Sequence, residues 1–327
     1  MRAMRLHEPG QPLRLETIDR PKARPGEVVL RVLACGVCRT DLHIVDGELA
    51  PHRNPVVPGH EVVGEIVELG TGVGDLQIGQ RVGIPWLGQA CGHCPYCVAG
   101  HENLCDTPIF TGYDRDGGYA EFAVANATFC LPLPDGYGDA EIAPLLCAGL
   151  IGFRSYRAAG NGHALGLIGF GAAAHIICQI ALEDGRRVFA FTRPGDTDTQ
   201  TFARGLGCQW TGGTDKPPPE LLDAMIIFAP DGALVPQALK MLRKGGRVVC
   251  AGIHMSDIPS FPYADLWGER EIVSVANLTR QDGRDFLERA ARQHLNTTIT
   301  RYPLAEANAA LADLRDGRLH GAAVLVP

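Results

Sequence analysis

Four cysteines fall within a fifteen-residue stretch of this 327-residue chain, and their types and spacing suit a metal site. Residues 91–105 read CGHCPYCVAGHENLC, a C-x2-C-x2-C-x7-C pattern. Disulfides, an iron–sulfur cluster and a structural metal are the three chemistries to weigh. The chain has 11 cysteines, an odd number, and its first residues include no apolar stretch of signal-peptide length. We therefore expect a cytoplasmic protein, in which disulfides are rare.

The fourth cysteine separates the two remaining chemistries. C-x2-C-x2-C resembles half of a bacterial ferredoxin motif, but the fourth cysteine is too distant and no proline follows it. Four thiolates in one loop suit a tetrahedral Zn²⁺ that is closed to water. The pattern favours structural zinc, with these ligands: Cys91, Cys94, Cys97 and Cys105.

A second group of metal-ligating types is spread along the chain. Cys38 lies in LACGVCRTDLH, His60 and Glu61 lie in VPGHE, and Cys147 lies in PLLCAG. Two thiolates and one imidazole leave a fourth zinc position open, as a catalytic metal requires. Taken singly, Cys147 could be a buried thiol and His60 a turn histidine. Local sequence does not show whether these residues converge.

The elements that must position these residues change in character along the chain. Up to about residue 150 the chain has short β-branched runs bracketed by turns, at 27–34, 61–69 and 80–84, and then a helix at 139–157. From about 160 to 276 the pattern predicts alternating strands and helices: 165–168, 172–184, 187–191, 199–206, 224–228, 234–242 and 246–251. Such alternation predicts a doubly wound parallel sheet. A helix at 304–316 and a strand at 321–326 close the chain.

A glycine-rich turn opens this alternating region. Residues 169–174 read GFGAAA, a G-x-G-x-x-A pattern between an apolar strand and a helix. Gly169 permits the tight turn, Gly171 lets a pyrophosphate approach, and Ala172 begins a helix whose N-terminus attracts phosphate. The same turn explains the apolar stretch 165–182 as a strand, turn and buried helix rather than a membrane span.

In this order, CGVCRTDLH, PGHE, the four-cysteine loop, PLLCAG and GFGAAA resemble the zinc-dependent alcohol dehydrogenases of the medium-chain dehydrogenase/reductase superfamily. The resemblance covers essentially the whole chain. It implies an α/β fold with a GroES-like β-barrel catalytic domain, residues 1–152 and 277–327, and a Rossmann domain, residues 153–276. It also implies interconversion of primary alcohols and aldehydes by hydride transfer with a nicotinamide cofactor.

The resemblance assigns roles to individual residues. Cys38, His60 and Cys147 match the catalytic zinc ligands, so two zinc ions are expected per chain, and Glu61 matches the carboxylate behind that metal. Thr40 matches the hydroxyl that hydrogen-bonds the substrate oxygen, and His43 the outer end of a proton relay reached through the nicotinamide ribose. The remaining matches are Asp41, which orients His60, and the pyrophosphate cations Arg39 and Arg280.

Two further positions bear on substrate and cofactor. Trp86 matches an aromatic beside the zinc, although a core tryptophan is an equal alternative, and Leu49 stands where several small-alcohol enzymes carry tryptophan, which predicts a wider pocket. In NAD-binding Rossmann folds an acidic residue at the end of the second strand accepts hydrogen bonds from the adenine ribose. Here Thr192 and Arg193 stand at that position, and because both can hydrogen-bond a 2′-phosphate they favour NADP(H). Asp196 or Asp198 could instead bend back and supply the missing acid.

Net charge and composition limit the other functions. A formal net charge of −7 without a Lys/Arg run argues against nucleic acid or an anionic membrane as a partner. Two alternatives remain: a zinc-free enone or quinone reductase of the same superfamily, and a non-catalytic metal-binding module. The first generally lacks both zinc sets. We expect a small-molecule substrate and a homo-oligomer, either a dimer or a tetramer.

Overall fold

The computed structural model describes residues 1–319 and 321–327. Contacts divide the chain into two compact units, one made of Met1–Leu150 and Asn277–Pro327 and the other of Ile151–Ala276. Within the described ranges, no helix has both the length and the apolar character needed to cross a membrane.

The strands are numbered in chain order. They are β1 (Arg2–Arg5), β2 (Arg14–Thr17), β3 (Glu27–Val37), β4 (Glu61–Leu69), β5 (Arg81–Ile84), β6 (Leu87–Gln89), β7 (Ile109–Phe110), β8 (Phe122–Asn126), β9 (Leu131–Pro132), β10 (Ala164–Ile168), β11 (Arg187–Thr192), β12 (Trp210–Gly213), β13 (Leu222–Ile227), β14 (Leu242–Cys250), β15 (Glu271–Ser274), β16 (Ile299–Pro303) and β17 (Ala322–Val326).

The α-helices are also numbered in chain order. They are α1 (Arg39–Val45), α2 (Pro95–Val98), α3 (Asp139–Ile142), α4 (Ala148–Ala158), α5 (Ala172–Glu183), α6 (Thr197–Gly205), α7 (Leu234–Lys240), α8 (Tyr263–Leu266), α9 (Arg280–Arg292) and α10 (Ala307–Arg315).

The first unit is built on a mainly antiparallel sheet with the order β16-β17-β3-β4-β5-β9, and β8 also pairs with β3. β3 and β4 are the long central strands, and their β-branched residues face a core that includes Val28, Val62 and Ile66. Their register places Gly36 opposite Glu61. The end of β3 and the beginning of β4 therefore lie side by side at one end of these central strands. Cys38 follows β3, and His60 and Glu61 stand at the start of β4.

The second unit contains a six-stranded parallel sheet with the order β12-β11-β10-β13-β14-β15. The first strand in sequence, β10, lies in the middle, so the chain winds outwards in both directions, as a doubly wound sheet requires. The predicted fold class is confirmed. The short strands β12 and β15 were not predicted; β12 contains Gly212 and Gly213 and has no apolar run of its own.

The predicted helix at 139–157 is wrong as a continuous element. The structure has α3, then a 3-10 turn at Ala143–Leu146, then α4, with Cys147 between them at φ −132° and ψ −68°. Pro144 lacks an N–H and disfavours a continuous α-helix here. The break places Cys147 outside regular helix. Helix α9 was missed because its apolar residues are sparse among charged ones.

Candidate functional site

Three side chains from distant parts of the first unit converge on one point. The Cys38 sulfur lies 3.2 Å from His60 Nε2 and 3.9 Å from the Cys147 sulfur, and His60 Nε2 lies 3.3 Å from the Cys147 sulfur. One oxygen of Glu61 belongs to the same group, whose ligand atoms lie within 4.8 Å of one another. The structure therefore brings together the four residues that local sequence left separate.

The local backbone explains how each ligand reaches this point. Cys38 is the N-cap of α1, directly after β3, and its extended backbone turns the chain into the helix. His60 follows Gly59, which has a φ of +98° that favours glycine, and precedes β4. Cys147 occupies the break before α4.

Asp41 ties two of these segments together. Its Oδ2 accepts a hydrogen bond from the Cys38 N–H at 2.9 Å. Its Oδ1 accepts the Gly59 N–H at 3.2 Å and lies 3.1 Å from His60 Nδ1. Because a carboxylate requires a donor, Nδ1 carries a ring proton, and Nε2, the nitrogen nearest the two sulfurs, is the atom that could bind a metal. Asp41 thus fixes the orientation of the His60 ring, with Nε2 close to the two sulfurs.

The spacing and chemistry of these atoms fit a zinc ion. Tetrahedral bonds of about 2.3 Å to sulfur and 2.0–2.1 Å to nitrogen imply separations of about 3.8 Å between sulfurs and about 3.6 Å between sulfur and nitrogen. In the structure the two sulfurs are 3.9 Å apart, and His60 Nε2 lies 3.2 and 3.3 Å from them. Three such ligands, with Glu61 behind them, would leave a position for substrate oxygen.

The charges in this group also indicate a cation. The hydrogen bond with Cys147 holds the pKa of Cys38 well below that of an ordinary thiol, although burial opposes this, and the same bond raises the pKa of Cys147. Burial acts to lower the pKa of His60, but Asp41 and Cys38 outweigh burial and raise it. A metal bound here would hold both sulfurs as thiolates, because coordinating cysteines are deprotonated.

Glu61 is a buried member of this group with an unmet hydrogen-bonding requirement. It is 2% exposed, and its Oε2 has no hydrogen-bond partner among the described residues. Burial raises the pKa of this carboxyl well above its usual value, and the Cys38 sulfur adds to the rise. A buried carboxylate without a donor is costly, so a nearby cation would stabilise it.

The four-cysteine loop forms a second compact cluster. The ligand atoms of Cys91, Cys94, Cys97 and Cys105 lie within 4.8 Å of one another. Hydrogen bonds from the backbone of His93 and Cys94 lower the pKa of Cys91 to about 6, whereas burial raises that of Cys97 to about 12. The thiolate at Cys91 and the grouping of four sulfurs fit a closed tetrahedral zinc site.

Thr40 and His43 lie three residues apart on α1 and therefore share a face of that helix. Both are buried. Nδ1 of His43 pairs with Glu48, whose side chain is 47% exposed. The sequence did not single out Glu48, because no spacing rule connects it to His43. The pair links an enclosed imidazole to a carboxylate that reaches solvent.

Trp86 lies beside the first cluster. Its ring is 5.1 Å from that of His60 in an edge-on arrangement, and it stacks on Phe110 at 4.8 Å and Tyr113 at 5.8 Å. Trp86 Nε1 has no partner among the described residues. Leu49 is partly buried against the core of the same unit. An aromatic wall therefore stands next to the candidate metal ligands.

The glycine-rich turn in the second unit has the geometry of a phosphate site. Gly169 has a φ of +84°, and a Cβ there would lie 3.0 Å from the Ala229 nitrogen. A Cβ on Gly171 would meet nothing within 4 Å, so the backbone is open at this position. Gly171 is the N-cap of the twelve-residue helix α5, which starts at Ala172 and has no side-chain cap within the described residues. Its first N–H groups are available to an anion.

At the end of β11 the hydroxyl of Thr192 is already used. It donates to the Arg193 carbonyl and accepts from Gln200, and Thr192 is 3% exposed. Asp196 accepts the Thr199 N–H as the N-cap of α6. That cap occupies one of the two acids that the sequence left as alternative ribose ligands; the other, Asp198, is exposed in the first turn of α6. Arg193 itself is exposed.

The two arginines predicted to contact pyrophosphate differ in their surroundings. Arg39 is exposed at the start of α1. The Arg280 guanidinium instead forms a fork–fork pair with Glu102, at 2.6–3.0 Å, and lies 4.7 Å from the centre of the Phe129 ring. The sequence did not indicate this partner. The pyrophosphate contact of Arg280 stays a prediction, because its guanidinium is already paired with Glu102.

Comparisons with known proteins agree with this geometry. The family described as alcohol dehydrogenase GroES-like domain matches residues 24–135, in line with the predicted fold. The chain is 47% identical to a protein described as probable alcohol dehydrogenase AdhA from Mycobacterium tuberculosis, over 100% of this chain and 97% of that protein.

Solved structures extend the likeness to the whole fold. The alcohol dehydrogenase of Aeropyrum pernix is 27% identical, with a TM-score of 0.90 and coverage of 100% of both chains. A thermostable alcohol dehydrogenase from Pyrobaculum aerophilum, described as cobalt and zinc bound, is 25% identical with a TM-score of 0.91, covering 100% of this chain and 99% of that one.

Proposed function

Because the chain belongs to the zinc-dependent alcohol dehydrogenases of the medium-chain dehydrogenase/reductase superfamily, we propose that it interconverts primary alcohols and aldehydes. The observation that carries this proposal is the convergence of Cys38, His60 and Cys147, with ligand atoms 3.2–3.9 Å apart. Both sets of cysteine ligands are present, which does not favour a zinc-free enone or quinone reductase.

Two zinc ions per chain would occupy the two clusters. Cys38, His60 and Cys147 would hold the catalytic ion, and Cys91, Cys94, Cys97 and Cys105 the structural ion. When bound, the catalytic ion acts as a Lewis acid on the substrate oxygen, and the nicotinamide ring gives or takes the hydride. The cobalt- and zinc-bound relative from Pyrobaculum aerophilum supports a metal enzyme.

The chain's own groups would handle the proton. The Thr40 hydroxyl would hydrogen-bond the substrate hydroxyl, and His43, on the same face of α1, would pass a proton onward. The pairing of His43 with Glu48 supports this direction, because Glu48 reaches solvent. Asp41 would hold His60 in the ligand tautomer throughout.

We assign cofactor binding to residues 153–276 and catalysis to residues 1–152 with 277–327. Gly169, Gly171 and Ala172 would cradle the pyrophosphate at the α5 N-terminus. NADP(H) is the preferred cofactor in this proposal. The exposed guanidinium of Arg193 can bond a 2′-phosphate, and Asp196 is committed to capping α6. Because Thr192 is buried, we assign it no direct contact with the 2′-phosphate. Its contribution is that no carboxylate stands at this position to repel that phosphate.

The substrate is proposed to be a primary alcohol or aldehyde with an apolar, medium-length or aromatic group. Trp86, stacked on Phe110 and Tyr113, supplies an apolar wall beside His60. Leu49 is smaller than tryptophan and would leave room beyond that wall. A homo-oligomer and a cytoplasmic location stay predictions.

The experiment that tests this function measures zinc per chain and then assays a panel of alcohols and aldehydes with NADPH and NADH. We expect two zinc ions, and higher kcat/KM for aromatic and medium-chain alcohols than for ethanol. The variant Leu49→Trp should reduce turnover of the larger substrates more than that of ethanol. Metal-free protein with full activity would contradict the proposal, and turnover confined to ethanol would contradict the substrate class.

A further inference from the structure

Glu61 lies directly over Gly36, its partner across the β3–β4 ladder. A Cβ built on residue 36 would lie 1.7 Å from Glu61 Oε2, 2.6 Å from Cδ and 2.9 Å from Cβ. Gly36 is not among the glycines with positive φ, so its backbone conformation is open to other residues. The space that its missing side chain leaves is occupied by the Glu61 carboxylate.

The carboxylate has few other places to lie. Glu61 is 2% exposed, and its Oε2 has no hydrogen-bond partner among the described residues. Gly36–Glu61 is the last pair of the β3–β4 ladder and follows the Cys35–Val62 pair, and Gly36 also pairs with Val324 of β17. A group placed at residue 36 would therefore displace the Glu61 carboxylate, and it would also require a small shift between the two strands because the Glu61 Cβ lies 2.9 Å away.

One direction is favoured for that movement. A Glu61 oxygen already lies within 4.8 Å of the ligand atoms of Cys38, His60 and Cys147. A cation at that site would attract a displaced carboxylate, whereas buried apolar surroundings would penalise it. Residue 36 thus controls how closely Glu61 approaches the metal position.

We propose that Gly36 is a positioning residue, whose missing side chain lets the Glu61 carboxylate rest behind the catalytic metal instead of occupying its open coordination position. This inference rests on the proposed metal site. In a Gly36→Ala variant the added methyl pushes the carboxylate onto the metal. The metal is then held more tightly, and substrate oxygen must compete with a permanent ligand.

The test uses the full-length zinc-loaded protein and measures zinc release to a chromogenic chelator, together with kcat and KM for an alcohol. The kinetic phase that belongs to the catalytic site is the one missing from Cys38→Ala. We expect Gly36→Ala to release this zinc about tenfold more slowly and to show a lower kcat/KM, the scale on which groups around a metal alter its affinity.

Two further variants separate the mechanism from a general packing defect. Gly74→Ala is the matched control, because a Cβ there meets nothing within 4 Å and its φ is not positive, so release and kcat should match the wild type. In Gly36→Ala/Glu61→Gly the methyl meets neither the carboxylate nor the Cβ at 2.9 Å, and zinc release should equal that of Glu61→Gly alone. If Gly36→Ala does not fold, the double variant should fold.

Several results would overturn the inference. They are unchanged or faster zinc release from Gly36→Ala, slow release that persists in the double variant, or a double variant that also fails to fold. With zinc present in the wild type, each of these leaves the proposed function standing. A wild-type chain without metal at Cys38 would overturn the proposed function and this inference together.

Discussion

Asp41 and His60 form an enclosed pair, with Asp41 Oδ1 3.1 Å from His60 Nδ1 and neither side chain exposed. Asp41 is the third residue of α1, and His60 precedes β4, so the pair joins two segments that both carry metal ligands. The carboxylate holds a ring proton on Nδ1, so Nε2 would be the nitrogen that binds the proposed metal. It also accepts the Cys38 N–H, so one side chain orients two ligands.

Asp41→Asn should weaken binding of the catalytic metal by about 10–100-fold, the usual cost of losing a group that orients a ligand. The amide cannot accept from both His60 and the Cys38 N–H. Competition with a chelator measures this affinity. Asp46→Asn is the control, since Asp46 ends the same helix but pairs with Arg315 at the surface. Equal metal affinity in both variants would contradict the role of Asp41.

Loss of one ligand from the four-cysteine cluster should reduce stability. In Cys97→Ser we expect one zinc instead of two and a decrease in Tm of at least about 5 °C, because a structural zinc contributes to folding directly. Metal analysis and calorimetry measure the two effects. Cys250→Ser, which changes a half-buried cysteine outside both clusters, should retain both ions. A Cys97→Ser protein with two zinc ions and unchanged Tm would be incompatible with this site.

His43→Gln should slow turnover most near neutral pH and least at alkaline pH. Histidine exchanges protons near neutrality, whereas glutamine does not titrate, and at high pH solvent base takes the proton directly. A pH profile of kcat from 6 to 10, in steps of about one unit, measures the difference. Glu48→Gln is the companion variant and should show a smaller loss with the same pH trend. A uniform loss at every pH would argue against a relay.

Arg280→Ala should reduce stability rather than specifically weaken cofactor binding. Loss of the bonds to Glu102 should cost about 1–3 kcal/mol, near the lower end because the guanidinium is partly exposed. Burial acts to raise the pKa of Glu102, but the Arg280 hydrogen bonds outweigh it and lower the pKa. The contribution is thus complete above the unfolded-state pKa of about 4.3 and disappears as the pH falls through the lower folded value.

Denaturant unfolding between pH 3 and 7, in steps of about one unit, measures this pH dependence. Arg292→Ala, an exposed arginine of the same helix that pairs with Glu288, is the control. If Arg280→Ala weakens NADPH binding more than about tenfold at unchanged stability, the pyrophosphate role predicted from the sequence holds and the structural role of the pair fails.

Arg193→Ala should reduce kcat/KM with NADPH by about 10–100-fold and leave kcat/KM with NADH nearly unchanged, because an Arg–phosphate hydrogen bond contributes about 1.5–3 kcal/mol. The double variant Thr192→Asp/Arg193→Ala should narrow or reverse the ratio of kcat/KM with NADPH to kcat/KM with NADH, since a carboxylate repels a 2′-phosphate. Steady-state kinetics with both cofactors measure the ratio. Arg204→Ala, an exposed arginine of α6 bonded to Thr201 and Thr211, should leave it unchanged. A wild-type preference for NADH would contradict the assignment.

Much of the architecture could be predicted because its signals are local. β4 begins and ends at the predicted residues, and α5 differs from its predicted range by one residue at its end. Among the elements that were not predicted correctly, the one at residues 139–157 lies at a candidate metal ligand. There, Pro144 and the backbone of Cys147 interrupt an otherwise helical pattern, and the ligand lies in the interruption.

The sequence by itself determined the four-cysteine cluster and the glycine-rich turn, because all the groups each one needs lie within about fifteen residues. The approach of Cys38 to Cys147 across 109 residues was implied by the family resemblance alone, and only the tertiary structure decided that Arg280 meets Glu102 across 178. It also decided that the Glu61 carboxylate fills the space over Gly36. Turns and periodic elements follow from hydrogen bonds between near neighbours, whereas these pairings arise from how strands and helices pack, which no local spacing records.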